Sequence, residues 1–391
     1  MEAHPFPQGL SGRVASGNSR SDGFLRFNSV PTQLAGVTPF VNDRAVRFGA
    51  YLVMASADGC LVIAEAGVNH NGSLDIALEL ATVAFESGAD YVKYQTFVPS
   101  LVASAVAPVT AYQSDAGFGD QSSMLSQFVL SDDEHRILKE HCDSMGIGFS
   151  STGHDLDSAH YLEKLGQDFV KVGSGDLTNW QLLEAVAAYG KTLIVSTGAS
   201  TWDDVSSSVE FLGSLGLSVP EDLVLLQCTS AYPAPFEEAN ITVMSRYRSE
   251  FGCRVGYSDH TPTVEPALAA VAMGASVIEK HITLDTAMEG PDHSSSLNVA
   301  DFQQYVQSIR RLESALGTGE KYVTPSEMDN QPLIRKGLYA RTAIAAGEEF
   351  SQENVIAKRP LTAVPASLWP QVKGGISRRD YSADEPIEVE A

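Results

Sequence analysis

LVIAEAGVNHNGSLDIALELATVAFESGADYVKYQTF, residues 61–97, decides the fold. Its ends, LVIAEAG and YVKYQTF, are short apolar runs, and between them LDIALELATVAFESG repeats its apolar side chains with the period of a helix. Strands that alternate with helices are parallel, and near-continuous apolar runs mean that both faces of the sheet are covered. The intervening NHNGS suits a strand-to-helix loop, with Ser73 as the N-cap.

Outward from this unit the pattern recurs. GFSST (148–152), FVKVGSG (169–175), TLIVSTG (192–198), LVLLQCT (223–229), RVGYSDH (254–260) and VIEKHIT (277–283) complete eight runs, with helical stretches such as SDDEHRILKEHCDSMG between them. Eight βα units in roughly 250 residues close into an α/β (β/α)8 TIM barrel, whose active site lies at the C-terminal ends of the strands. The runs end in polar side chains there: Glu65, Lys93 and Gln95, Thr152, Lys171 and Ser174, Ser196, Ser230, His260, His281. The barrel is expected over 56–317, up to the helical DFQQYVQSIRRLESALG. A polar linker follows over 318–336, then a small β-rich module over 337–391 with an AAGE turn and several prolines. Residues 1–55, rich in Gly, Ser, Pro and Asn, read as a disordered or loose extension, and Met54 as an alternative start. Residues 1–30 lack the apolar core of a signal peptide.

Composition narrows the function. With 26 basic against 49 acidic residues the chain carries a formal charge of −23, a field that repels nucleic acid and anionic membrane surfaces. There is no apolar run long enough to span a bilayer. Cys60, Cys142, Cys228 and Cys253 show no CxxC spacing and read as reduced packing residues of a cytoplasmic enzyme.

Several side chains stand where only chemistry or pairing explains them. Glu65 interrupts an apolar strand, so its carboxylate is either paired, with Lys93 or Lys171, or raised in pKa and catalytic. Lys93 and Lys171 are rarely buried types unless an anion meets them. With the hydroxyls of Thr152, Ser174, Ser196 and Ser258 they form an anion site, most simply for phosphate or carboxylate. His260 and His281 close the seventh and eighth strands, neighbours in a closed barrel. Two neutral imidazoles there suit a catalytic divalent metal such as Mn²⁺, Co²⁺ or Mg²⁺, with positions left for water and substrate oxygens. Asp292, in the loop EGPDHSSS, offers a carboxylate to a substrate hydroxyl.

Taken in order, IAEAGVNHNG, VKYQTF, FVKVGSGDLTN, STGAS, QCTSAYP, YSDHT, EKHITLD and GPDHSSSL resemble the sialic acid synthase family, which condenses phosphoenolpyruvate with an N-acylated hexosamine. The segment AAGEEFSQENVIAKRP resembles its C-terminal antifreeze-like (SAF) domain. The resemblance implies that Glu65 is the catalytic glutamate. It implies that Lys93, Thr152, Lys171, Ser174, Ser196 and Ser258 hold phosphoenolpyruvate, with Ser230 where some members use a phosphate-contacting Asn. It further implies that His260 and His281 hold the metal, Mn²⁺ first, and that Gln95, Asp176, Tyr232 and Asp292 contact the acceptor sugar. Arg359 resembles an arginine delivered into a partner's active site, which implies a domain-swapped homodimer. Asp176 stands where many members have Glu, and STGHD where many have STPFD.

The expected activity is therefore condensation of phosphoenolpyruvate with an open-chain N-acetylmannosamine-type sugar and water, giving N-acetylneuraminate and phosphate. The alternative within the family is a legionaminic acid synthase that takes 2,4-diacetamido-2,4,6-trideoxymannose; the long insert before SSMLSQFVLSDDEH resembles both branches. From other classes come a Schiff-base lyase on Lys171 and a non-catalytic sugar-phosphate binding protein. Retention of Glu65 and both histidines speaks against the last.

Overall fold

The computed structural model describes residues 59–104, 107 and 120–388, with the backbone of a two-residue antiparallel pairing of 47–48 with 51–52. The rest of the N-terminal extension, Met54 and most of the insert after the second strand lie outside the described residues.

Eight parallel strands close into a barrel: β1 Leu61–Gly67, β2 Tyr91–Thr96, β3 Gly148–Gly153, β4 Val170–Val172, β5 Leu193–Ser196, β6 Leu223–Cys228, β7 Arg254–Asp259 and β8 Val277–His281. β8 pairs with β7 on one side and with β1 on the other, His281 opposite Glu65. A helix packs behind each strand: α1 Leu74–Glu86, α2 Asp132–Met145, α3 Leu156–Leu165, α4 Trp180–Ala187, α5 Trp202–Ser214, α6 Val243–Phe251, α7 Glu265–Ala272 and α8 Val299–Leu316. Local chemistry sets their ends. The Ser73 hydroxyl accepts from the Ile76 amide at the start of α1. Ser131 and Glu134 cap each other's backbone amides at the start of α2, which stops at Gly146 in the left-handed conformation. The strands are shorter than their apolar runs where the chain turns early. β4 ends at Val172 because Ser174–Asp176 already form a 3-10 turn.

Period-two alternation explains why the runs are apolar throughout and yet carry a site. Leu61, Ile63, Tyr91, Phe169, Ile194, Val224, Leu226 and Val277 form one buried cluster, the plug inside the barrel. Their strand neighbours, such as Val62, Ala64, Val92 and Val195, belong to the cluster shared with the helices. Glu65, Lys93, Lys171, Ser196, Cys228 and Glu279 stand two residues beyond plug residues and so on the same inward face, one layer nearer the C-terminal end. The plug is tight. A Cβ on Gly148 would lie 2.2 Å from the Tyr91 ring, whose hydroxyl donates to Asp168 Oδ2 at 2.7 Å.

Polar staples close the barrel from outside. Arg310 on α8 donates to the Cys60 carbonyl at 2.7 Å and to Asp90 Oδ2 at 2.6 Å, and the same Asp90 oxygen accepts the Val62 amide. Lys280, on the outward face of β8, pairs with Asp259 at 3.3 Å, and Tyr305 of α8 donates to that carboxylate at 2.8 Å. All four cysteines are buried and free.

The chain divides between Gly319 and Glu320 into two compact units. The second pairs β9 Gly337–Ala340 with β10 Val355–Lys358 antiparallel, over a core that includes Leu338, Ile344, Phe350, Val364 and Tyr381. Part of the stretch read as linker belongs to this unit: the Leu361 amide donates to the Pro332 carbonyl and Ala366 to Lys336. Among the described residues no helix is long and apolar enough to cross a membrane.

Candidate active site

At the C-terminal ends of the strands lies a cavity of about 210 Å³. Its walls bring together Glu65, Lys93, Gln95, Thr152, Lys171, Ser174, Asp176, Ser196, Ser230, Tyr232, Ser258, His260 and His281. Two residues singled out in the sequence are not in this wall. Asp292 lies just beyond, buried, with Oδ2 3.9 Å from His281 Nδ1. Arg359 is in the second unit, where its Nε donates to the Ile334 carbonyl at 2.9 Å.

The cavity floor is a chain of alternating charges. Glu65 Oε2 is 2.6 Å from Lys93 Nζ, Lys93 Nζ is 3.7 Å from Glu279 Oε2, and Lys171 Nζ is 3.8 Å from Glu279 Oε1. None of the four is more than 5% exposed. Lys93 also donates to Thr152 Oγ1 at 3.0 Å, Lys171 to Ser196 Oγ at 2.8 Å, and Ser258 to Glu279 Oε1 at 3.0 Å. Both expectations for Glu65 therefore hold together: it is paired with Lys93 and it is raised.

The two carboxyls are pushed apart. Burial drives Glu65 up to about 7 against the pull of Lys93, with Glu279 adding to the rise. Burial acts on Glu279 too, but there Lys171 and Lys93 outweigh it and hold the carboxyl at about 2. Glu279 is thus a fixed negative charge, while Glu65 sits at the threshold of ionisation near neutrality, where a side chain can both take and give a proton. Burial pulls Lys171 below its ordinary value. Lys93 feels the same burial, yet Glu279 and Glu65 hold it above.

Hydroxyls crowd the wall beside Lys171. A Cβ on Gly198 would lie 2.2 Å from Ser230 Oγ and 2.8 Å from Ser174 Oγ, so the glycine leaves room for two hydroxyls to converge, and its amide donates to Ser174 Oγ at 3.0 Å. Small donors around buried ammonium groups are the chemistry of an oxyanion or phosphate site.

Across the cavity the His260 and His281 rings stand 5.4 Å apart, with the Tyr232 ring 4.2 Å from His260. His260 Nδ1 meets the Thr229 carbonyl at 2.8 Å, so that nitrogen carries a proton and Nε2 is the one left for a ligand. Burial and the neighbouring His260 hold His281 far below the usual imidazole range, and its buried Nδ1 has no hydrogen-bond partner. A neutral, orphaned ring nitrogen beside a second imidazole fits a divalent metal. No group of three or more His, Cys, Asp and Glu side chains gathers in ligand geometry among the described residues, so such a site would be completed by water and substrate oxygens.

Sequence reasoning gave three wall side chains no place in the site. Glu279 was visible as a second carboxylate inside an apolar strand, the signal that found Glu65. His154 follows β3 and reaches Asp176, Nδ1 to Oδ2 3.2 Å. Cys228 was taken for packing, but its Sγ lies 3.7 Å from His260 Nδ1 in the cavity wall.

A barrel whose C-terminal mouth gathers a raised carboxyl, buried ammonium groups among hydroxyls and a histidine pair has the make-up of an enzyme of the TIM-barrel class. The chain belongs to the NeuB family, whose model matches residues 80–321, and a SAF domain follows over 335–388. It is 39% identical over 329 residues to the N,N'-diacetyllegionaminic acid synthase of Campylobacter jejuni, covering 84% of this chain and 98% of that one. The human N-acetylneuraminate-9-phosphate synthase is 34% identical over 301 residues, with 76% and 83% covered. Among solved structures, the N-acetylneuraminic acid synthetase of Leptospira borgpetersenii in complex with citrate superposes with a TM-score of 0.62 at 28% identity, over 70% of this chain and 90% of that one.

Proposed function

We propose that this synthase condenses phosphoenolpyruvate with an open-chain N-acylated mannosamine-type sugar and water, releasing phosphate and a nonulosonic acid. The observation that carries the reading is the buried chain Glu65–Lys93–Glu279–Lys171 beside the paired histidines at the barrel mouth. Lys93, Lys171 and the hydroxyls of Thr152, Ser174, Ser196, Ser230 and Ser258 hold the phosphate and carboxylate. Glu279 keeps both ammonium groups charged and in place.

The third carbon of phosphoenolpyruvate forms the new bond to the aldehyde carbon, which leaves a cationic centre at its second carbon. Glu65 takes a proton from the water that adds there and gives it to the departing phosphate as that carbon–oxygen bond breaks; the hydroxyl left on the second carbon becomes the ketone, and its proton goes to the alkoxide formed from the aldehyde oxygen. A carboxyl near 7 performs both halves at neutral pH, a contribution of about 10² to 10⁴ in rate. His260 and His281 would hold a divalent cation, Mn²⁺ before Co²⁺ or Mg²⁺, which when bound supplies Lewis-acid polarisation of the aldehyde oxygen. Gln95, Tyr232, Asp176 and Asp292 surround the sugar.

The C. jejuni relative supports 2,4-diacetamido-2,4,6-trideoxymannose as the acceptor, the second choice on the sequence alone. The human relative, an N-acetylneuraminate-9-phosphate synthase, supports a phosphorylated N-acetylmannosamine acceptor. A domain-swapped homodimer, with Arg359 reaching the partner's barrel, and a cytoplasmic location with reduced cysteines complete the reading. Phosphate release is measured with each sugar in turn, with Mn²⁺ and with EDTA. Metal-dependent release with one of them is the expected result. No phosphate release with any of the sugars, together with trapping of Lys171 by borohydride, would favour the lyase reading instead; phosphate release insensitive to EDTA would remove the metal but keep the synthase.

A further inference from the structure

His154 and Asp176 meet on the rim of the cavity, on the loops after β3 and β4. In the closed barrel those strands lie opposite β7 and β8, which carry the histidine pair. If the aldehyde end of an open-chain sugar reacts near His260 and His281, its far end crosses the mouth toward this rim.

The pair is held rather than mobile. Asp176 Oδ1 accepts from Asn179 Nδ2 at 3.1 Å, and Asn179 is itself fixed as the N-cap of α4 through the Leu182 amide. Asp176 Oδ2 accepts from His154 Nδ1 at 3.2 Å. The His154 amide is tied to the Thr96 carbonyl, and its ring lies 6.3 Å from the Phe97 ring. A carboxylate only accepts, so His154 Nδ1 donates to it, and Nε2 is the ring nitrogen left for a ligand. The rim presents a carboxylate and a ring nitrogen side by side, partners that suit a hydroxyl and not a methyl.

We propose that His154 is a specificity-determining residue: with Asp176 it recognises a hydroxyl on the far end of the acceptor sugar and disfavours an apolar substituent there. This rests on the synthase reading above. Its consequence is a preference between two sugars, one ending in a hydroxymethyl group and one in a methyl.

The test is kcat/KM, with saturating phosphoenolpyruvate and Mn²⁺, for N-acetylmannosamine and for its 6-deoxy analogue, which differ only at that end, in the parent and in His154→Phe. Phenylalanine keeps the ring packing and removes both nitrogens. The ratio should shift about fivefold to tenfold toward the 6-deoxy sugar, the effect of one lost hydrogen bond, while KM for phosphoenolpyruvate stays within twofold. Asp176→Asn serves as a second variant and should shift the ratio in the same direction. Equal losses for both sugars, an unmoved ratio, or a raised KM for phosphoenolpyruvate would mean a structural role and overturn the proposal alone. A parent protein silent with both sugars, with N-acetylmannosamine 6-phosphate and with 2,4-diacetamido-2,4,6-trideoxymannose would overturn the synthase reading, and this inference with it.

Discussion

Replacing Glu65 by glutamine keeps the shape of the side chain and removes its titration. In the folded chain the carboxyl is held at about 7, against 4.5 for the free group. A carboxyl with a raised folded pKa contributes stability that is present below its unfolded value and lost as pH rises through the folded one. Between pH 5 and pH 8 that loss is about 2.5 kcal/mol for the parent, worked from the two values at 1.36 kcal/mol per pH unit. Glu65→Gln mimics the protonated form at every pH and has no such slope. For a chain of this length an unfolding entropy of about 0.8 kcal/mol/K converts the difference to about 3 °C. The variant's melting temperature should therefore gain about 3 °C on the parent's between pH 5 and pH 8, while its turnover falls about 10² to 10⁴-fold. Differential scanning fluorimetry across that pH range, beside phosphate release, reads both. Parallel melting curves would show that burial does not hold Glu65 high, and near-parent turnover would remove it from acid–base chemistry.

Glu279→Gln should do the opposite. Its folded carboxyl lies at about 2, so it contributes stability above 4.5 that fades as pH falls toward 2. The variant should lose on the order of 3 kcal/mol at pH 7, because Lys93 and Lys171 stay buried with their counter-charge reduced, and the deficit should shrink as the solution is acidified below pH 4. His281→Ala should weaken Mn²⁺ binding, measured by calorimetry, by at least about 10²-fold, together with EDTA-sensitive phosphate release; unchanged Mn²⁺ affinity would exclude the ring as a ligand. Gly148→Ala places a methyl 2.2 Å from the Tyr91 ring and should cost about 1–3 kcal/mol by thermal unfolding, since the ring cannot shift without straining its bond to Asp168.

Sequence and tertiary structure divide the explanation along a physical line. Hydrophobic period is a local property of the chain, so residues 61–97 suffice to show strand, helix and strand, and eight repeats of that pattern leave a parallel barrel as the way to bury every run. For the same reason the polar residues at the strand ends were legible as one rim, and Ser73 as a helix cap. The sequence also carried the resemblance that names the family. Contacts between distant segments are a different matter, because closure sets them. Lys93 is 186 positions from Glu279, and only the pairing of β8 with β1 brings that carboxylate under both lysines. His154 and Asp176 come from successive loops, and their meeting depends on where β4 stops and the 3-10 turn begins. Burial, which no residue type specifies alone, sends two glutamates in one layer in opposite directions, one to about 7 and the other to about 2. Period and residue type determined which side chains face the mouth; the closed sheet decided which of them touch, and therefore which holds a charge and which exchanges a proton.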